Sequence, residues 1–323
     1  MKIIVFADPV CTWCWGSVPV IRALRYNYGE QLEFEYVMGG LIEDIATFNN
    51  RRLAVGGDIP LSNRKIHENW LEASSVHGMP VCESGFRLFS EERRSTLPQN
   101  YAFIAASVYV VEHRGEVPHD AHLHFLRRMQ EATAVDAVVT NDEANIVDLS
   151  ATVGFDPAKF RKIYNDARIR DIYKTGKAMC KEYDVRSLPT YLLSYHDEEM
   201  MARGFSSYDV LRHMIDQLSF NNVKPLKDGR ENFTAENVKR FISHCHNAYP
   251  VEIATAFALN RKSGHTALNS ESYEGLDDVI AELIEEGCIA MVPKGNGFMY
   301  YMLDERKGER LRHGVEIGHF QDK

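Results

Sequence analysis

Two cysteines, Cys11 and Cys14, are the residues of this sequence best suited to chemistry. They stand in the run Cys11-Thr-Trp-Cys14, directly after a short apolar segment and directly before a helical pattern. A helix N-terminus presents unpaired amides and a partial positive charge, and both stabilise a thiolate. We therefore expect Cys11 to be the exposed, attacking thiol. Cys14, one helical turn further in, is then the buried thiol that resolves a mixed disulfide.

A pair of this spacing is also half of many zinc sites, which need two further ligands. The sequence has no second CxxC and no CxxH, and the run His244-Cys245-His246 suits a polar helix face better than chelation. We favour dithiol chemistry with no metal and no cofactor, and a zinc site or an inert pair stays as the alternative. The remaining cysteines are expected to act simply as small apolar residues: Cys82, Cys180, Cys245 and Cys288.

The segments on either side of the pair predict a strand and a helix. Residues 2–7 form a β-branched apolar run of strand length, which Asp8-Pro9 ends because proline donates no ladder hydrogen bond. Helical spacing begins at Gly16, and residues 32–38 alternate as a second strand. The pair therefore lies between a strand and a helix, which is where a helix N-terminus would meet it.

The rest of the first 222 residues predicts a long helical segment followed by a return to strands. Helical spacing dominates 39–184, and extended patterns follow at 190–195 and around 200–202, separated by a polar turn. Ser207 then precedes a further helix. The predicted order is β-α-β, a helical insertion, and β-β-α.

Composition and charge narrow the class of protein. The chain has 323 residues, of which 45 % are hydrophobic and 26 % charged, as is typical of folded globular proteins. No apolar run approaches the length of a membrane span. The first apolar stretch is too short for a signal peptide, so we expect a protein of the reducing cytoplasm with no membrane association.

A polar, turn-rich stretch at 219–233 predicts a linker to a second domain. Three helical patterns and a hairpin pattern follow, which suggest a small winged-helix-like α+β domain over 226–305, with a charged tail at 306–323. The helix that would contact DNA in a winged-helix domain is acidic, and no Lys or Arg occurs between Ser263 and Pro293. This helix would repel DNA phosphates. With a net charge of −9, we expect no nucleic acid and a partner protein at this domain instead.

A second short motif, Ser187-Leu188-Pro189-Thr190, directly precedes the third predicted strand. Together with the CxxC pair, it resembles the thioredoxin superfamily and its DsbA-like branch, which carries a helical insertion. The resemblance implies that Pro189 follows a cis peptide bond and faces the CxxC, and that the Leu188 backbone pairs with an extended substrate. It implies an α/β thioredoxin fold from 1–38 and 185–222, with 39–184 inserted.

The run Asp8-Pro-Val-Cys-Thr-Trp-Cys-Trp-Gly16 is similar to the start of the FrnE-like disulfide isomerases. This resemblance implies a thiol–disulfide oxidoreductase or isomerase acting on protein or peptide substrates. The layout of the whole chain also resembles the Spx adaptor family of the ClpXP protease. The alternative function is therefore a redox-gated adaptor that binds a protein without obligatory catalysis.

Two neighbours of the pair have roles to weigh. Asp8 could relay a proton to Cys14 during resolution, or it could simply end the strand and hold the following turn. Trp13 could form an apolar lip for unfolded or peptide substrates, whereas Trp15 is expected to pack in the core.

Overall fold

A computed structural model of the chain describes residues 1–227 and 229–303, so the predicted tail at 306–323 lies outside the described residues. Its larger sheet has four strands, which are β1 (Lys2–Ala7), β2 (Glu33–Met38), β3 (Thr190–Tyr195) and β4 (Glu198–Arg203). They lie in the order β2-β1-β3-β4. The first strand is therefore central, and its residues from Ile3 to Ala7 are buried.

Pairing within this sheet is mixed. Strand β1 runs parallel to β2 and antiparallel to β3, and β3 and β4 form an antiparallel hairpin. The parallel pair needs a crossover, which α1 (Thr12–Gly16) and α2 (Val18–Tyr28) supply. Because Phe6 pairs with Thr190, the end of β1 lies beside the start of β3.

Six helices lie between β2 and β3, and several begin at an aspartate whose side chain accepts a hydrogen bond from the first turn. Asp58, Asp142, Asp156 and Asp166 are these N-caps. The six helices are α3 (Ile59–His77), α4 (Leu97–Glu112), α5 (Ala121–Ala134), α6 (Glu143–Ala151), α7 (Pro157–Tyr164) and α8 (Ala167–Glu182). After the hairpin, α9 (Tyr208–Leu218) begins at the N-cap Ser207.

The C-terminal part has a second, three-stranded sheet with the order β5-β7-β6. Its elements are α10 (Ala235–Cys245), β5 (Asn247–Ala248), α11 (Pro250–Ala256), α12 (Leu276–Glu285), β6 (Ile289–Lys294) and β7 (Gly297–Met302). Buried Asn27 of α2 donates to the Ala256 carbonyl at 3.1 Å, so α11 is tied directly to the helix that follows the CxxC.

This order of elements confirms the predicted α/β class with a helical insertion between the second and third strands. The three helices and the hairpin predicted after the linker are also present. The winged-helix type and the exact domain limits stay predictions. Within the described part of the chain, no helix is both long and apolar enough to cross a membrane.

Candidate functional site

Cys11 and Cys14 lie at the end of β1, where the chain turns into α1. Cys11 is the N-cap of α1, and its amide donates to the Asp8 carbonyl at 3.1 Å. The Cys11 carbonyl in turn accepts the Trp15 amide at 3.0 Å, so the sulfur stands at the N-terminal end of the helix as predicted. Both thiols are free in this structure.

The Leu188–Pro189 peptide bond, which is cis, lies against this turn. The Cys11 Sγ donates to the Leu188 carbonyl oxygen at 3.4 Å, although the two residues are 177 positions apart in sequence. Their proximity follows from the antiparallel pairing of β1 with β3, whose first residue is Thr190. The structure thus brings together Cys11 and Leu188, as the resemblance implied.

The prediction that Cys11 is exposed is wrong. Only 6 % of Cys11 is accessible, little more than the 5 % of Cys14. Part of the reason is the Leu188 segment, whose carbonyl lies in hydrogen-bonding contact with the sulfur. Any molecule that reacts with the Cys11 sulfur must therefore reach it through the small accessible area that remains.

Cys14 is the more deeply held of the two thiols. Burial is the largest cause that raises the pKa of Cys14 well above its usual value. A hydrogen bond with Cys11 and the negative charge that Cys11 can carry raise the pKa of Cys14 further, and the Asp8 backbone partly offsets them. At neutral pH Cys14 is consequently a protonated thiol.

Asp8 is fully buried, and its carboxylate is surrounded by donors. Oδ1 accepts the Val10 amide at 2.8 Å, while Oδ2 accepts the Leu41 amide at 2.7 Å and the side chains of Thr96 at 3.1 Å and Asn100 at 2.8 Å. Burial raises the pKa of Asp8, and these hydrogen bonds oppose that shift. The geometry matches the anchoring role, because the carboxylate joins the CxxC turn to the insertion.

An exposed apolar surface borders the pair. Trp13 is 36 % exposed, and its ring lies 5.7 Å from that of Phe205, which is 37 % exposed. The two rings and half-buried Leu188 belong to three different segments of the thioredoxin-like part. Trp13 therefore has the surroundings of the predicted lip, and Phe205 extends it.

The other face of α1 packs tightly against α3. Gly16 has no room for a side chain, because an added Cβ would lie 2.5 Å from Cγ and Cδ2 of His77. The His77 Nδ1 accepts the Met79 amide at 3.1 Å, and burial lowers the pKa of His77 to about 3. His77 is thus a neutral packing residue under α1.

Trp15 is buried as predicted and connects the turn to the C-terminal part. Its Nε1 donates to the Pro80 carbonyl at 2.8 Å, and its ring stacks edge-on with Tyr249. The Arg127 guanidinium lies 4.4 Å from the centre of the Trp15 ring. Glu252 of α11, which is fully buried, pairs with Arg127 at 3.2 Å and with Arg22 of α2 at 3.0 Å.

The structure bears on the zinc alternative and on the charge of α12. Among the residues that the structure describes, no cluster of three or more His, Cys, Asp or Glu side chains could hold a metal ion. The surface of α12 carries exposed acidic residues, which are Asp277, Asp278, Glu282 and Glu285. The zinc alternative therefore has no ligand set in the described residues.

Sequence reasoning missed several residues that shape this site. Thr96 and Asn100 hold Asp8, and Arg127 lies on Trp15, yet each is distant in sequence from its partner and stands in an ordinary helical pattern. Phe205 gave no sequence signal, because its exposure and its contact with Trp13 appear only in the structure.

Comparison with known proteins agrees with this geometry. Residues 4–213 match the model of a family described as Thioredoxin. The ClpXP adapter protein SpxH of Bacillus subtilis is 24 % identical over 229 residues, which cover 70 % of this chain and 70 % of that protein. SpxH of Halalkalibacterium halodurans is 21 % identical over 263 residues, which cover 80 % of this chain and 78 % of that protein.

A solved structure gives the same result for the fold. The cytosolic disulfide reductase DsbM from Pseudomonas aeruginosa superposes with a TM-score of 0.52 at 16 % identity, covering 68 % of this chain and all 100 % of that one. At this identity the likeness concerns the fold alone. It confirms the thioredoxin-like, DsbA-like architecture that the two motifs implied.

Proposed function

The chain belongs to the thioredoxin family, and we propose that it is a thiol–disulfide oxidoreductase or isomerase that acts on protein disulfides through Cys11 and Cys14. The observation that carries the proposal is the position of Cys11. Cys11 is the N-cap residue of α1, and its sulfur lies 3.4 Å from the Leu188 carbonyl oxygen and forms a hydrogen bond with the Cys14 thiol.

The proposed reaction is two consecutive thiol–disulfide exchanges. The Cys11 thiolate attacks one sulfur of a substrate disulfide, so that a mixed disulfide forms and the other substrate sulfur leaves as a thiolate. Cys14 then loses its proton and attacks the Cys11 sulfur, which forms the Cys11–Cys14 disulfide and releases the second substrate thiolate. Two electrons pass from the dithiol to the substrate, and the reverse sequence oxidises a substrate dithiol.

The environment of Cys14 explains why the two exchange steps occur in this order. Two of the causes that raise the pKa of Cys14 are the hydrogen bond with Cys11 and the charge on Cys11. Both disappear once the Cys11 sulfur is bound in the mixed disulfide. The pKa of Cys14 therefore falls towards the value set by burial, and Cys14 becomes a nucleophile only after Cys11 has reacted. Below that pKa, resolution should accelerate as the pH rises.

Substrate binding is proposed for the surface around Cys11. An extended substrate segment would pair with the backbone of Leu188, beside Pro189, while its apolar side chains would contact Trp13 and Phe205. Both rings are more than one-third exposed and can lose that surface to a bound chain. Such contacts tolerate many sequences, which suits unfolded proteins as substrates.

Reduction of insulin and refolding of a scrambled disulfide protein test the proposal. We expect the wild-type protein to catalyse at least one of the two reactions and Cys11→Ser to catalyse neither. Cys82→Ser is the matched control, because Cys82 is buried and belongs to a different core cluster from Cys11. Equal activity of Cys11→Ser and the wild-type protein in both assays would exclude dithiol catalysis.

A proton relay through Asp8 is proposed as a separate, testable role. Asp8→Asn retains the shape and one acceptor oxygen but cannot take up a proton. A relay predicts that resolution by Cys14 slows, whereas the first attack by Cys11 keeps its rate. If both steps slow together, or neither does, Asp8 acts as the anchor of the CxxC turn alone.

The second candidate function is a protein-binding adaptor, and two observations favour it. The relatives at 24 % and 21 % identity are named ClpXP adapters, and the alignment over 263 residues is too long to end within the first 222. The exposed acidic face of α12 would suit a basic partner surface. Because the structurally similar DsbM is a cytosolic disulfide reductase, we propose a cytoplasmic location for either function.

Charge reversal in the full chain separates the two functions. Glu282→Lys and Glu285→Lys should abolish capture of a partner that binds α12, while insulin reduction remains unchanged. Arg64→Glu, an equally exposed reversal on α3, is the control. Capture that survives both reversals on α12 would count against an adaptor surface there.

A further inference from the structure

A cleft of about 350 Å³ lies between α5 and the C-terminal part, and Cys11 is not among its lining residues. Four cationic side chains line it, which are Arg22, Arg127, Arg128 and Lys294, and Glu131 is the carboxylate among the lining residues. We propose that this cleft binds a small organic anion through a carboxylate or phosphate group.

Charge in and behind the cleft leaves a positive surplus. Glu252 is shared by Arg22 and Arg127, and Asp136 is shared by Arg128 and Lys294 at 2.8 Å each. Each of these carboxylates thus neutralises only one of its two cations. Glu131 supplies the third negative charge, so four cations face three carboxylates.

Arg127 provides the donors. It is only 7 % exposed, and its Nη2 donates to Glu252 at 3.2 Å. Its Nε and Nη1 have no hydrogen-bond partner among the residues that the structure describes, and the same holds for Nε of Arg128. Buried guanidinium N–H groups are nearly always paired, and both arginines line the cleft, so these are the donors that the proposed anion would satisfy.

Glu131 does not oppose this assignment strongly. Its Oε1 accepts the Tyr249 hydroxyl at 2.7 Å. Burial raises the pKa of Glu131, but the positive charges of Arg127, Arg128 and Lys294 together with this hydrogen bond outweigh burial and keep the pKa below its usual value. The carboxylate is therefore already matched by its own donors and cations. An incoming anion meets the surplus charge of the arginines.

The lining also limits the occupant. Pro118, Ala121, Val153 and Met299 add apolar surface to the lining of the cleft. Its volume lies at the small end of ligand pockets. A compact molecule with one anionic end and an apolar body fits these features better than an extended peptide.

Arg127 also provides a direct signal of binding, because its guanidinium lies 4.4 Å from the centre of the Trp15 ring. An anion on the Arg127 donors changes the charge next to this indole. Trp15 fluorescence should therefore respond to the ligand, independently of any redox activity.

Isothermal titration calorimetry of the full chain at low salt, with hexanoate in one arm and hexyl phosphate in the other, tests the inference. We expect saturable binding of at least one probe with a change in tryptophan fluorescence, and the arm that binds identifies the group. Loss of a charged hydrogen bond in Arg127→Lys should weaken binding about tenfold. Cys11→Ser should bind normally, so a failure of the redox proposal leaves this result intact.

Lys294→Gln keeps the test valid if Arg127→Lys does not fold, because Asp136 retains Arg128 as its partner. This variant should also bind more weakly, and Arg64→Gln, an exposed charge on α3, should bind like the wild-type protein. The inference is overturned if neither probe binds at millimolar concentration. It is also overturned if Lys294→Gln binds as well as Arg64→Gln does.

Discussion

Replacing Glu252 by glutamine should destabilise the whole chain, because this side chain joins its three parts. Glu252 lies on α11, while its partners Arg22 and Arg127 lie on α2 and on α5 of the insertion. The carboxylate is fully buried, and it also accepts the Tyr249 amide at 2.8 Å. The variant Glu252→Gln keeps the size of the side chain and removes the charge.

The magnitude follows from what each arginine retains. Removing one partner of a buried ion pair typically costs about 3–5 kcal/mol, because the other charge is left buried. Arg22 keeps two carbonyl acceptors, on Asn247 at 2.8 Å and on Cys245 at 3.2 Å, and the glutamine oxygen still accepts one hydrogen bond. We therefore expect a loss near the lower limit, about 3 kcal/mol in the free energy of unfolding.

Urea unfolding, followed by tryptophan fluorescence and by far-UV circular dichroism, measures this loss and checks that both signals change together. Glu285→Gln is the control, since Glu285 is exposed on α12 and its replacement should change stability by less than about 0.5 kcal/mol. If the free energy of unfolding of Glu252→Gln lies within about 1 kcal/mol of that of the wild type, the ion pairs of Glu252 do not hold the three parts together.

Two further variants probe the site itself. Trp13→Ala should raise the KM for reduction of an unfolded protein about tenfold, because apolar contact with the substrate is lost, and should leave reduction of a small aromatic disulfide nearly unchanged. Phe220→Ala, which removes an exposed ring near the end of α9, is the control. An equal effect of the two variants would contradict a substrate-binding role of Trp13. Gly16→Ala should destabilise the protein by about 2 kcal/mol, because the new Cβ would overlap the His77 ring. Adding His77→Ala should restore part of that stability in urea unfolding, and no change in either variant would contradict the packing.

Local patterns predicted the elements that carry the dithiol. The apolar run ended by Asp8-Pro9 is β1, and the helical spacing that begins at Gly16 is α2, with the CxxC in the short helix between them. These features depend on residues that are close in sequence, such as a proline at the end of a strand. A single sequence is therefore enough to predict them.

The contacts that complete the site could not be read in this way. Hydrogen bonds to Asp8 come from residues 33, 88 and 92 positions later, and the Leu188 carbonyl lies 177 positions from Cys11. Such contacts depend on how the insertion returns to the sheet, which periodicity does not encode. The position of Pro189 beside the CxxC was predicted from family resemblance and not from periodicity. The prediction that Cys11 is exposed was wrong because the Leu188 segment, which contacts its sulfur, is equally distant in sequence.

Trapping the mixed disulfide is the sharpest test of the proposed dithiol chemistry. In Cys14→Ser the resolving thiol is absent, so a substrate disulfide attacked by Cys11 should remain attached. After incubation with native insulin, whose disulfides are intact, mass spectrometry should find a covalent adduct on Cys11 that dithiothreitol removes. The wild-type protein should instead accumulate the Cys11–Cys14 disulfide. An adduct on another cysteine, or no adduct in Cys14→Ser, would contradict the roles proposed for the two thiols.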